Sequence, residues 1–147
     1  MSVASARLAG PAEAEIRRLA AAAHPQEGCG VLIGVYEADA VAILEATSGH
    51  NLWAETRSDR YAVDPDDIQA ADRRARARGR DVVGFWHSHP DHPARPSQLD
   101  SDRAWDGYAY LIVSSVVGGS GDLNAFSVPD EGRGLVPIPL LPAEDAG

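Results

Sequence analysis

Phe85-Trp86-His87-Ser88-His89-Pro90-Asp91-His92-Pro93-Ala94-Arg95-Pro96-Ser97-Gln98-Leu99-Asp100-Ser101-Asp102 is the stretch around which the rest of the chain is arranged. It begins inside an apolar run, Val82 to Trp86, of the kind that makes a buried strand. His87 and His89 sit two apart at the end of that run. A strand repeats every two residues, so both imidazoles point to one side of the sheet. Pro90, Pro93 and Pro96 then break regular structure, and Ser97 has the residue type and position to cap a helix carrying Asp100 in its first turn. Two imidazoles and a carboxylate therefore converge from a strand end and a helix start. With a fourth position left open for water, this is the ligand count of a catalytic rather than a structural zinc.

Each piece taken alone has a plainer reading. Ser97-x-x-Asp100 is also the pattern of a capping box, in which Asp100 reaches back to the Ser97 amide and holds no metal. A His-x-His pair by itself is common on loops. Joined, the pieces are specific: His87-Ser88-His89-Pro90, then Ser97-x-x-Asp100, with seven residues between His89 and Ser97. This resembles, without a departure, the signature of the JAMM (MPN+) zinc metalloprotease family. The resemblance implies a zinc held by His87, His89 and Asp100. It also implies that the Ser97 hydroxyl donates to the tetrahedral oxyanion, worth about 3 kcal/mol on the scale of single oxyanion donors.

Upstream, Gln26-Glu27-Gly28-Cys29-Gly30 leads into Val31-Leu32-Ile33-Gly34-Val35-Tyr36, an apolar run that reads as a buried strand. Glu27 is a carboxylate at the mouth of that strand, a position that solvated loop residues also occupy. In JAMM proteins a Glu-x-Cys-Gly segment leading into the first central strand supplies the general base, and Glu27-Gly28-Cys29-Gly30 matches it residue by residue. Cys29 is the single cysteine. A nucleophilic thiol needs an activating base and an orienting group, and the histidines are better spent on metal, so Cys29 reads as a small core residue. A lone cysteine also excludes a disulfide framework and thiolate zinc fingers.

At 147 residues the chain reads as one domain, 1–147, with a single core. Met1 to Gly10 has no apolar h-region and no later stretch approaches eighteen apolar residues, so the expected location is cytoplasmic. The net charge of -9 argues against nucleic acid as the main partner. All 13 basic residues are Arg, which reads as compositional bias.

Taken in order, Pro11 to His24 predicts a first helix from its early glutamates and the spacing of Ile16, Leu19 and Ala23. Val41 to Ala46 completes a hairpin with the preceding strand. Thr47 to Arg60 is a polar loop of functional length in which Trp53 is either a partner anchor or folded onto the core. Arg60 to Val63 reads as a short edge strand. Asp64-Pro65-Asp66-Asp67 starts a second helix that reaches about Arg78 and stops at Gly79. Its cluster Arg73, Arg74, Arg76, Arg78 and Arg80 suits the negative helix end and solvent. The Ser97 helix is expected to reach about Gly107, followed by a central strand at Tyr108 to Ser115 and a loose turn at Gly118 to Gly121. A further strand at Leu123 to Val128 and an edge strand at Leu135 to Leu141 complete the order, and the last residues fray. Helix, strand, strand at the start and strands mixed with about three helices predict an α/β domain with a mixed sheet. The resemblance implies the same, a cytidine-deaminase-like sheet, and the Arg60-Tyr61-x-Val63-Asp64-Pro65 segment and the Gly107 to Ser115 strand look like its short bacterial branch.

The functional expectation is a zinc isopeptidase acting after the C-terminal Gly-Gly of a ubiquitin-like sulfur-carrier protein. There is little room for the insertions with which eukaryotic members grip ubiquitin, and only glycines thread a narrow approach to a metal. A strand end beside an exposed sheet edge would take the extended tail by strand addition. Two alternatives stay open: a JAMM hydrolase with a phage-tail or DNA-repair task, and a non-catalytic MPN scaffold. The scaffold class typically lacks the Glu, His or Asp positions that this chain keeps. One zinc per chain is expected, since no second ligand cluster is visible. Asp91 and His92 lie beside the site, either orienting ligands or simply solvated.

Overall fold

The computed structural model describes residues 2–52, 62–130 and 132–143. Its first element is one the composition hides: Ser5–Leu8 forms strand β1, with Ala6 and Leu8 buried and Arg7 between them turned outward. Helix α1 (Gly10–Ala23) follows, with a proline in its first turn and Ala12, Ile16 and Ala20 on the buried face. Strands β2 (Cys29–Glu37) and β3 (Ala40–Ala46) make the expected hairpin, and α2 (Pro65–Ala77) starts at Asp64, whose side chain accepts from Asp66 N. Strand β4 (Asp81–Pro90) runs through both histidines to the first proline. After it come α3 (Gln98–Arg103), β5 (Ala109–Val116), β6 (Gly119–Ser127), β7 (Val136–Ile138) and β8 (Leu140–Pro142). No helix of the described residues is long and apolar enough to cross a membrane.

The eight strands form one mixed sheet in the order β7-β6-β5-β4-β2-β3-β1-β8. The β4–β5, β1–β3 and β1–β8 pairs are parallel and the others antiparallel. The single edge strand expected at Leu135 to Leu141 is therefore two strands at opposite ends of that order, with only Pro139 between them. One residue of chain cannot span an open sheet, so the sheet curls until its two ends are neighbours. The Pro139 carbonyl, accepting from Ala6 N at 3.0 Å, sits at the junction.

Alternation along β5 sorts the core. Ala109, Leu111 and Val113 pack toward α1 with Leu32, Ile43 and Trp86. Tyr110 and Ile112 face the other way, with Val31, Ile33, Phe85 and the α2 residues Ala71 and Ala75. Because His87 pairs with Ile112, the histidines share the α2 side, while Ser88 faces α1.

Several expectations need correcting. The Ser97 helix ends at Arg103, not near Gly107, because Ala104 turns extended and Trp105 N donates to Tyr110 Oη at 2.7 Å. The Trp105 ring then meets Phe85 edge-on at 6.0 Å. The turn after β5 is the tight pair Val117-Gly118, closed by Gly118 at φ 76°, rather than Gly118 to Gly121. The arginines in and just after α2 are not all left to solvent: Arg74, Arg78 and Arg80 converge on Glu45 of β3. Trp53 and the start of the Arg60 to Val63 strand lie outside the described residues, although Val63 does bridge to Asn51. The site strand β4 is an inner strand, flanked by β2 and β5. The exposed sheet edge expected beside the histidines is therefore not β4 itself.

Candidate metal centre

The two-residue period of β4 sets His87 and His89 side by side, with Nε2 atoms 3.1 Å apart. Asp100 Oδ2 lies 3.2 Å from His87 Nε2 and 3.1 Å from His89 Nε2. Three lone-pair atoms thus crowd one point. A proton bridges only two of them, whereas a cation with bonds of about 2.0–2.1 Å in tetrahedral geometry wants its ligand atoms roughly 3.3 Å apart. The donor set, two imidazole nitrogens and a carboxylate oxygen, fits zinc.

The pKa directions of the three groups reflect burial set against these close contacts. Burial drives the His87 pKa below its ordinary value, so this imidazole is neutral. Burial pushes Asp100 upward, but hydrogen bonds from His87 and His89 outweigh it and hold the carboxyl far below the usual range. Burial likewise opposes charge on His89, and the bonds to Asp100 and the Pro93 carbonyl overcome it and raise its pKa. His89 Nδ1 lies 3.0 Å from Pro93 O, an atom that only accepts. Nδ1 therefore carries a hydrogen, and Nε2 is the atom presented to the site.

The two readings of Ser97-x-x-Asp100 are not exclusive. Ser97 Oγ accepts from Asp100 N at 3.0 Å and Ser97 N donates to Asp100 Oδ2 at 2.8 Å, a complete capping box. The same Oδ2 faces both imidazoles. Capping delivers the carboxylate to the histidines.

Glu27 approaches from the start of β2, buried at 5% exposure, with Oε1 4.0 Å from His89 Nε2. Its carboxylate and the two imidazoles offer ligand atoms within 4.8 Å of one another. Of the two carboxylates, Asp100 is the nearer to the histidines and Glu27 stands one step back. A cavity of about 450 Å³ opens beside them, lined by Glu27, His89, His92, Arg95 and Ser97 with Pro90, Pro93 and Pro96. The prolines that end β4 thus wall the site.

Of the remaining sequence candidates, His92 lines the cavity, while Asp91 pairs with His24 of the α1 C-cap at 3.0 Å. Cys29 is buried and its thiol is pushed up to about 12, by burial first and then by Asp67 and Glu27, as suits a core residue. A second group of possible ligands exists after all: His50, Asp64 and Asp67 lie together at the start of α2. There, however, Asp64 caps the helix and Asp67 Oδ2 accepts from His50 N at 2.7 Å. Two polar residues beside the site, Ser88 and Asn51, escape sequence reading, because neither type nor spacing marks a side chain whose partner is a distant backbone group.

Residues 10–128, which include every candidate site residue, match the family described as prokaryotic homologs of the JAB domain. The chain belongs to the prokaryotic JAB-domain family. It is 41% identical over 99 residues, 67% of this chain and 69% of that protein, to a desampylase of Haloferax volcanii. Among JAB-like folds, the solution structure of a Salinibacter ruber protein superposes with a TM-score of 0.72 at 33% identity, covering 96% of this chain and 94% of that one. A Desulfitobacterium hafniense protein superposes with a TM-score of 0.76 at 27% identity, over 95% of both chains. The family match leaves out β1, β7 and β8, the strands at which the curled sheet meets itself.

Proposed function

We propose that this JAB-domain protein is a cytoplasmic zinc isopeptidase, residues 1–147 acting as one catalytic domain, that hydrolyses the amide bond after the C-terminal Gly-Gly of a ubiquitin-like sulfur-carrier protein. The carrying observation is the meeting of His87 Nε2, His89 Nε2 and Asp100 Oδ2 within 3.2 Å, with the Glu27 carboxylate set behind them. Likeness to a desampylase, whose name denotes removal of the ubiquitin-like modifier SAMP, supports a substrate of that class. His87, His89 and Asp100 would hold the zinc. When bound, zinc supplies a Lewis acid that acidifies a water and polarises the scissile carbonyl. Glu27, buried beside His89, takes a proton from the attacking water and returns it to the leaving amine. Ser97 spends its oxygen lone pair on Asp100 N, which leaves its O–H to donate to the developing oxyanion. The proline-walled cavity is expected to admit a tail without side chains most readily.

The test is to incubate the zinc-loaded enzyme with a carrier bearing a C-terminal extension. The same carrier with its penultimate Gly changed to Leu is run in parallel. The expected outcome is release of the extension from the first and at least a hundredfold slower release from the second. Equal cleavage of both, or of unrelated unfolded proteins, would mark a general peptidase and remove the Gly-Gly reading.

A further inference from the structure

The peptide group between Glu27 and Gly28 is gripped at both ends. Its carbonyl, Glu27 O, accepts from Asn51 Nδ2 at 2.9 Å, and its amide, Gly28 N, donates to Ser88 Oγ at 2.8 Å. Ser88 N also donates to Gly28 O at 2.9 Å. The regular β2–β4 ladder ends one step earlier, at Cys29 opposite His87, so at this point the Ser88 hydroxyl accepts in place of a strand carbonyl. Asn51 is itself fixed, its Oδ1 accepting from Ala62 N at 3.1 Å. Ser88 is fully buried and lies between the two histidines on the opposite face of β4. Neither side chain points at the reacting centre.

A peptide plane held at its oxygen and its hydrogen cannot rotate, and rotation about the bonds flanking it is the motion that would swing the Glu27 side chain. We infer that Asn51 and Ser88 are positioning residues that clamp the Glu27–Gly28 peptide and so aim the Glu27 carboxylate at the site. The inference rests on the reading of Glu27 as general base. Ser88 also joins two parts in one residue: the strand that carries both imidazoles holds the backbone of the base directly, so the two cannot drift apart. Supporting contacts of this kind are worth 10–100-fold, and a displacement of about 1 Å costs about 100-fold in rate.

The test is a double-mutant cycle on the zinc-loaded enzyme with the carrier-extension substrate. Ser88→Ala removes the acceptor. Asn51→Asp removes the donor to Glu27 O while keeping an oxygen for Ala62 N. Each is expected to lower kcat about 10–100-fold with KM within about threefold of the parent, at unchanged zinc content. In the Glu27→Gln background each is expected to have no further effect, because a residue that acts by aiming a carboxylate has nothing left to aim. An independent readout needs no activity: Ser88→Ala should speed hydrogen exchange at the Gly28 amide selectively. Parent-like kcat in both variants, or losses that multiply undiminished onto Glu27→Gln, would overturn the inference. Parent-like turnover in Glu27→Gln itself would instead overturn the assignment of Glu27 as base.

Discussion

Asp100 does two jobs through one oxygen. Its Oδ2 accepts the Ser97 amide and faces both imidazoles, so α3, only six residues long, begins beside the two histidines. Metal analysis separates the jobs. His87→Ala, His89→Ala and Asp100→Ala are each expected to lose stoichiometric zinc, because a site of three protein ligands does not survive on two. Ser97→Ala removes the Asp100 amide's acceptor along with the proposed oxyanion donor, so it should cost about 1 kcal/mol of capping and lower turnover while keeping its metal. Full zinc occupancy in Asp100→Ala would leave that residue as a cap alone. Glu27→Gln keeps its shape and should keep its zinc, while turnover falls about 10²–10⁴-fold, as for loss of a general base. Loss of metal in that variant would make Glu27 a ligand instead.

At the scale of elements, the entry into β2 is a tight joint. A methyl group added at Gly30 would overlap the Thr47 carbonyl and Trp86 Nε1, which are themselves hydrogen-bonded to each other at 2.9 Å. Here glycine is required by close approach, since no larger residue lets Thr47 and Trp86 meet across β2. Gly30→Ala is expected to destabilise by about 3 kcal/mol, at the upper end of overpacking costs. It should lower turnover as well, because Gly30 follows Glu27 by three residues. Chemical denaturation and steady-state rates measure the two effects. Stability within about 0.5 kcal/mol of the parent would mean that β2 and Trp86 have room to part.

At the scale of the whole molecule, the curled sheet depends on its last dozen residues. Strand β7 covers β6 and β8 covers β1. A chain ended after Leu135 would leave both partners as open edges, which invite pairing with other chains. Such a truncation is expected to lower the melting temperature by roughly 10 °C, equivalent to about 3 kcal/mol for a chain of this size, and to broaden the size-exclusion profile toward oligomers. An unchanged melt and a single monomer-sized peak would show that the closure contributes little.

The sequence by itself determined the candidate ligands of this protein. The period of a strand orders His87 and His89, and the N-cap pattern places Asp100, because both are local rules that act within a few residues. Glu27 was legible only through its match to the JAMM pattern, since a carboxylate before a strand has no local rule to bring it to a histidine 60 residues away. Tertiary structure alone decided the rest. The β2–β4 pairing brought Glu27 within 4.0 Å of His89. β7 pairs with the nearby β6, but β8 pairs with β1, Ala6 opposite Leu140, and no window of sequence contains partners so far apart. Asn51 and Ser88 bond to main-chain atoms, and a backbone group carries no residue type by which a sequence could announce it.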